Sequence, residues 1–147
     1  MIEMTQLMAD LLDKALADGT ACLVGTASKD GKPQISPRGS VAVLNPKQLC
    51  FWERSWRTSL TQLKDNPHVV IYYRNPARAA EMPAFKGATL RFHGKARIVE
   101  SGPERDAVWA KTIPAEQGKD PEKKGVGIVV DVELIEDLLG TVVMKRD

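Results

Sequence analysis

The sequence predicts a mainly β protein, with about six strands closing an antiparallel barrel and three helices set around it. Three observations carry this. Short apolar runs follow one another through tight turns, without the regular helical crossovers that a parallel sheet needs. An Asp30-Gly31 pair separates two strand-like runs, a strong short-range hairpin signal. Leu90, Phe92, Gly94, Ala96 and Ile98 alternate with Arg91, His93, Lys95 and Arg97, the period of a half-buried strand with a basic outer face.

The elements follow in order. Residues 3–18 read as a helix, because Leu7, Met8, Leu11, Leu12, Ala15 and Leu16 form one apolar stripe. Gly19 is placed to end it in a left-handed turn. Residues 21–28 form the first strand, and the turn at Lys29-Asp30-Gly31-Lys32 leads into a second strand over 34–44. Pro37-Arg38-Gly39 interrupts that strand. Proline there implies an edge or a bulge, glycine a bend, and bulges re-aim side chains near sites. Asn45-Pro46-Lys47 turns into a third strand over 48–52, then a short helix runs over 55–65 and closes at Asn66-Pro67. Residues 68–74 form a buried strand, 75–86 a loop, and 90–98 the alternating strand. A helix over 102–111 carries Val108 and Trp109. The polar, proline-bounded stretch 113–124 reads as a mobile loop. An apolar strand over 126–134 and a short extended piece over 138–144 complete the chain.

Bulk properties narrow the function classes. The 147 residues are read as one domain, 1–147, of ordinary globular composition, with 43% hydrophobic and 27% charged residues. A net charge of +2 with acidic residues scattered among the basic ones does not point to nucleic acid. No apolar run reaches the length of a membrane span, and no leader pattern opens the chain, so the expected location is the cytoplasm. Cys22 and Cys50 sit in apolar runs and read as buried thiols; with two histidines at no ligand-like spacing, they make a poor metal site.

Familiar catalytic signatures are missing. There is no glycine-rich loop with lysine, no nucleophile elbow and no useful carboxylate pair, and Gly125-Val126-Gly127 leads into a strand rather than a helix. Catalysis by this chain would therefore rest on a bound cofactor, with the protein supplying orientation and electrostatics.

Residues 36–67 look like the place for one. A helix N-terminus leaves backbone N–H groups unpaired and carries partial positive charge, so it suits an anion. Arg38 and Arg57 add forked donors, and Ser55, Thr58 and Ser59 add hydroxyls. That set suits a phosphomonoester, while Trp52 and Trp56 suit a flat ring attached to it. The combination reads as a flavin mononucleotide (FMN) site.

Several motifs together are similar to one family. Val24-Gly25-Thr26-Ala27, Gly31-Lys32-Pro33-Gln34, Ser36-Pro37-Arg38-Gly39, Ser55-Trp56-Arg57-Thr58-Ser59 with Leu63 and Asn66-Pro67, and Phe92-His93-Gly94-Lys95-Ala96 resemble the pyridoxamine 5'-phosphate oxidase-like family in order and spacing. The resemblance implies a six-stranded split β-barrel of Greek-key type that binds FMN at the interface of a homodimer. It places Arg38, Gly39 and Ser40 along the flavin from the second strand. Trp52, Glu53 and Arg54 then follow the ring and ribityl chain, and Ser55, Arg57, Thr58 and Ser59 the phosphate.

Two departures qualify the likeness. Thr58 and Ser59 follow Arg57 where the family often has a lysine, which removes one positive charge. The chain ends Gly140-Thr141-Val142-Val143-Met144-Lys145-Arg146-Asp147, without the arginine and histidine that hold substrate phosphate in the vitamin B6 oxidases. The expected activity is thus that of a general flavin-dependent oxidoreductase, with a nicotinamide nucleotide as electron donor. A non-catalytic flavin-binding or redox-sensing module stays open, as does a deazaflavin- or haem-binding relative on the same fold.

Overall fold

The structure, a computed structural model, describes residues 1–55 and 58–147. Helix α1 (Gln6–Lys14) is opened by Thr5, whose hydroxyl accepts from the Met8 backbone N–H at 3.3 Å. Gly19, at φ +77°, ends the turns that follow, as the sequence predicts. Strands β1 (Cys22–Ala27) and β2 (Pro33–Arg38) pair antiparallel about the Asp30-Gly31 turn, with Ala27 opposite Pro33. Then come β3 (Ala42–Asn45), β4 (Gln48–Glu53), α2 (Thr58–Asp65), β5 (His68–Arg74), two short 3-10 turns, and β6 (Thr89–Val99). The chain ends with α3 (Gly102–Lys111), α4 (Pro114–Gln117), β7 (Val126–Glu136) and β8 (Val142–Lys145).

Eight strands form one antiparallel sheet in the order β2-β1-β5-β6-β7-β4-β3, with β8 extending the β7 pairing beyond the end of β4. The two outermost strands, β2 and β3, are consecutive in the chain. Only residues 39–41 separate them, so Arg38 and Ala42 lie within about 14 Å of each other. The sheet must therefore curl until its edges meet, which makes a barrel split along the β2/β3 seam. Its interior is filled by Val24, Phe51, Ile71, Tyr73, Phe92 and Ile128 among others, and α1 and α2 cover it with Met8, Leu11, Leu12, Leu60 and Leu63. A second, smaller apolar cluster of Cys50, Trp52, Val108 and Val129 lies between α3 and the opposite face of β4 and β7.

Eight strands replace the six expected. The single strand read over 34–44 is two strands, and the extended piece near the C-terminus is a true strand. The break falls at residues 39–41, just after Pro37, which has no N–H to donate, and there the Ser40 side chain takes the place of backbone pairing to β4. The buried Ser40 hydroxyl accepts from the Trp52 backbone N–H at 3.0 Å and donates to the Trp52 carbonyl at 3.2 Å, so a side chain stands in for a rung of the ladder. The stretch 113–124 is not the open loop expected. It contains α4 and is hydrogen-bonded to α3 and to the start of β7.

Candidate functional site

The ends of β2 and β4 border the seam, and α4 lies across them. Together they enclose a cleft of about 380 Å³, within the usual range of small-molecule sites. Arg38 and Gly39 line it from β2 and the bend beyond it, Trp52, Glu53, Arg54 and Ser55 from β4 and its exit, and Glu116 and Lys119 from the α4 side.

Arg38 is tied at every nitrogen. Its Nε pairs with Glu53 Oε1, Nη1 donates to Ser36 Oγ and to the Pro37 carbonyl, both at 2.8 Å, and Nη2 donates to Ser59 Oγ at 2.7 Å. The pair is largely withdrawn from water, with Arg38 18% and Glu53 6% exposed. It joins the β2 edge to β4 and, through Ser59, to the first turn of α2. Its positive charge is balanced on the spot, so it faces the cleft as half of a dipole rather than as a free cation.

Trp52 is 4% exposed, and its ring belongs mainly to the small cluster under α3. Its Nε1–H donates to Asp120 Oδ2 at 2.8 Å, Trp109 meets it edge-on at 4.8 Å, and the Arg105 guanidinium lies over it at 4.8 Å. Asp120 also accepts from the backbone N–H groups of Lys124, at 3.0 Å, and Gly125, at 2.9 Å. Burial pushes the Asp120 carboxyl up, but these donors and the nearby Arg105 charge outweigh it and hold the group below the usual carboxylate range. Gly125 is obligatory here, because a Cβ on it would stand 2.2 Å from the Glu53 carbonyl oxygen.

The α4 segment is thus fastened down as a roof. Arg105 Nη2 donates to the Gly125 carbonyl at 2.8 Å, and Gln117 Nε2 donates to the Trp109 carbonyl at 2.9 Å. Glu116 and Lys119, three residues apart on the α4 side, pair at 2.5 Å. Gly39 makes room for Glu116. A Cβ there would lie 3.0 Å from the Glu116 carboxyl carbon and 3.1 Å from a Leu16 methyl.

The structure brings six of the predicted site residues to one cleft: Arg38, Gly39, Trp52, Glu53, Arg54 and Ser55. Ser40 is not among the lining residues; its hydroxyl is taken up within the strand break. Ser59 is buried with its oxygen on Arg38, and Thr58 is exposed at the start of α2. Trp56 and Arg57, and so the predicted phosphate arginine, lie outside the described residues. Sequence reasoning missed Leu16, Glu116 and Lys119. For the last two a signal existed: Pro114 followed by Glu116 is a helix-start pattern inside a stretch taken as loop.

Among the described residues no histidine or cysteine lines the cleft. Among the described residues no group of three or more His, Cys, Asp or Glu is placed to hold a metal. His93 lies on the outer face of β6 with Nε2 at 2.6 Å from Glu136 Oε1.

The family model described as pyridoxamine 5'-phosphate oxidase matches residues 8–138, and the chain belongs to that family. Among solved structures it is similar to HupZ of Group A Streptococcus, at 25% identity and a TM-score of 0.70, covering 98% of this chain and 99% of that one. It is similar to a putative pyridoxamine 5'-phosphate oxidase from Lactobacillus delbrueckii, at 17% identity and a TM-score of 0.64, covering 92% and 94%. An FMN-binding protein from Syntrophomonas wolfei shares the fold at 11% identity and a TM-score of 0.60, covering 94% and 89%. No curated protein matches the sequence.

Proposed function

We propose that this chain is an FMN-binding flavoprotein of the pyridoxamine 5'-phosphate oxidase family, an oxidoreductase that works as a homodimer in the cytoplasm. The observation that carries the reading is the cleft itself. It gathers Arg38, Gly39, Trp52, Glu53, Arg54 and Ser55 from two strand ends, and Ser55 leads toward the hydroxyl-bearing start of α2. Ser55, Arg57, Thr58 and Ser59 would hold the flavin phosphate, the class of ligand a helix start with hydroxyl and guanidinium donors suits. Gly39 and the Arg38–Glu53 pair would face the ring, and Ser40 acts behind them by fixing the bend. Bound flavin supplies electron or hydride transfer, with a reduced nicotinamide nucleotide as the proposed donor. The chain's own groups bind, orient and exclude water.

The homodimer reading draws on the outer side of β2. This strand ends the sheet with its far hydrogen-bonding edge unpaired among the described residues, and it carries Ile35 63% exposed. Beside it lies an open apolar groove of about 520 Å³ bordered by Gly25, Ile35 and Val70. The same strand carries Ser36 and Arg38 into the cleft, so a second copy on this face would border the flavin.

Fluorescence titration with FMN tests the phosphate assignment. Arg57→Ala is expected to weaken binding at least about tenfold, as loss of a charged hydrogen bond does. Arg97→Ala, on the far side of β6 and paired with Glu104, is expected to bind like the parent protein. Equal affinities for all three would remove the proposed phosphate site.

A further inference from the structure

We propose that Glu116 and Lys119 form a recognition pair for the imide edge of the flavin ring, with Glu116 accepting from the ring N3–H and Lys119 donating to the neighbouring carbonyl oxygen. This rests on the proposal that the cleft holds FMN.

The polar groups of the cleft differ in how far they are already committed to one another. On the strand side, the Arg38 donors are taken by Glu53, Ser36, Pro37 and Ser59, and Glu53 by Arg38. On the roof side, Lys119 holds Glu116 through Oε2 only, and Oε1 lies on the Gly39 side, 3.0 Å from where a Cβ there would stand. Glu116 is 12% exposed and Lys119 45%, so a mostly dehydrated carboxylate lies next to an ammonium that still reaches solvent. The carboxylate accepts and the ammonium donates, side by side at 2.5 Å. Their complement is a ligand edge with an N–H donor beside a carbonyl acceptor, which is the pattern of a cyclic imide.

The pair is also held in place before any ligand arrives. Asp120 anchors the segment after Lys119 through Trp52, Lys124 and Gly125, and Gln117 anchors α4 to the Trp109 carbonyl. Gly39 faces Glu116 with no side chain, where a Cβ would close the space to 3.0 Å. A bound ring would therefore find the acceptor fixed and little ordering left to do, which favours affinity and selectivity. A ligand that lacks the N–H would leave the dehydrated carboxylate facing a group that cannot donate, and such mismatches discriminate strongly.

The experiment compares FMN with its N3-methyl analogue by fluorescence and calorimetric titration, in the parent protein and in Glu116→Ala and Lys119→Met. The parent is expected to bind FMN at least about tenfold more tightly than N3-methyl FMN. Glu116→Ala is expected to bring that ratio close to one. Lys119→Met is expected to weaken both flavins about tenfold and to leave the ratio unchanged. A ratio that persists in Glu116→Ala, or a Lys119→Met protein that binds like the parent, would overturn the recognition pair and leave the flavin reading intact. A parent protein that binds neither flavin would overturn the flavin reading and this inference with it.

Discussion

Arg38 and Glu53 show how a single pair divides its work between fold and site. Glu53 is 6% exposed, and the guanidinium it neutralises is tied to Ser36, Pro37 and Ser59 as well. Removing one member of a buried pair leaves an uncompensated charge. Glu53→Gln is therefore expected to destabilise the protein by about 3 kcal/mol, read from urea denaturation at constant slope. A change near zero would show that solvent replaces the carboxylate freely. The cysteines are simpler. Burial pushes the thiols of Cys22 and Cys50 up to about 12, so a thiol reagent at pH 8 is expected to modify neither in the folded protein and both after unfolding.

At the scale of elements, the roof over the cleft depends on Asp120. Its carboxyl has a lower pKa folded than unfolded, so its contribution to stability is present above the ordinary aspartate range and is lost as pH falls through the folded value. Asp120→Asn is expected to lower the melting temperature at pH 7, and the difference from the parent is expected to shrink as pH drops below about 4. Trp52→Phe removes the indole donor to Asp120, together with part of the ring that meets Trp109 and Arg105. It is expected to speed tryptic cleavage at Lys119, Lys123 and Lys124 while leaving the far side of the barrel protected. Uniform cleavage across the chain would show that Trp52 supports the core rather than the roof.

The same elements show what a sequence can and cannot disclose. The β1–β2 hairpin was legible because Asp30-Gly31 fixes a turn locally, and Gly31 does take φ +85° there. The β6 pattern was legible because Leu90, Phe92, Gly94 and Ala96 are buried while Lys95 and Arg97 are not. The break between β2 and β3 was signalled by Pro37 and Gly39 but not resolved, because the bond that completes it runs from Ser40 to Trp52, twelve residues on. One contact lay beyond the sequence reading of Trp52 and of residues 113–124, the indole to Asp120, across 68 residues. No periodicity encodes such a meeting. Polar segments that fold onto a site by a few specific bonds look like loops in sequence, and Glu116 and Lys119 were missed for that reason.

For the whole molecule, the split barrel explains why the candidate site lies where it does. The seam between β2 and β3 is the place where the sheet does not complete its own ladder, and strand ends, a helix start and the α4 roof converge beside it. Local rules dictated most strands, and the resemblance in motif order supplied their closure, which family membership over residues 8–138 supports. The dimer belongs to this scale too. Sedimentation at micromolar concentration is expected to give twice the chain mass, and Ile35→Lys is expected to shift it toward monomer by placing a charge on the exposed edge. A flavin-loaded monomer would contradict the shared-interface reading.

The most direct test of the central claim is the visible absorption spectrum of the purified protein after addition of FMN and gel filtration. The account predicts a flavin spectrum that travels with the protein at about one FMN per chain and is lost with Arg57→Ala. A colourless protein that leaves flavin fluorescence unquenched would contradict it, and the cleft between β2, β4 and α4 would then have to be assigned to another ligand.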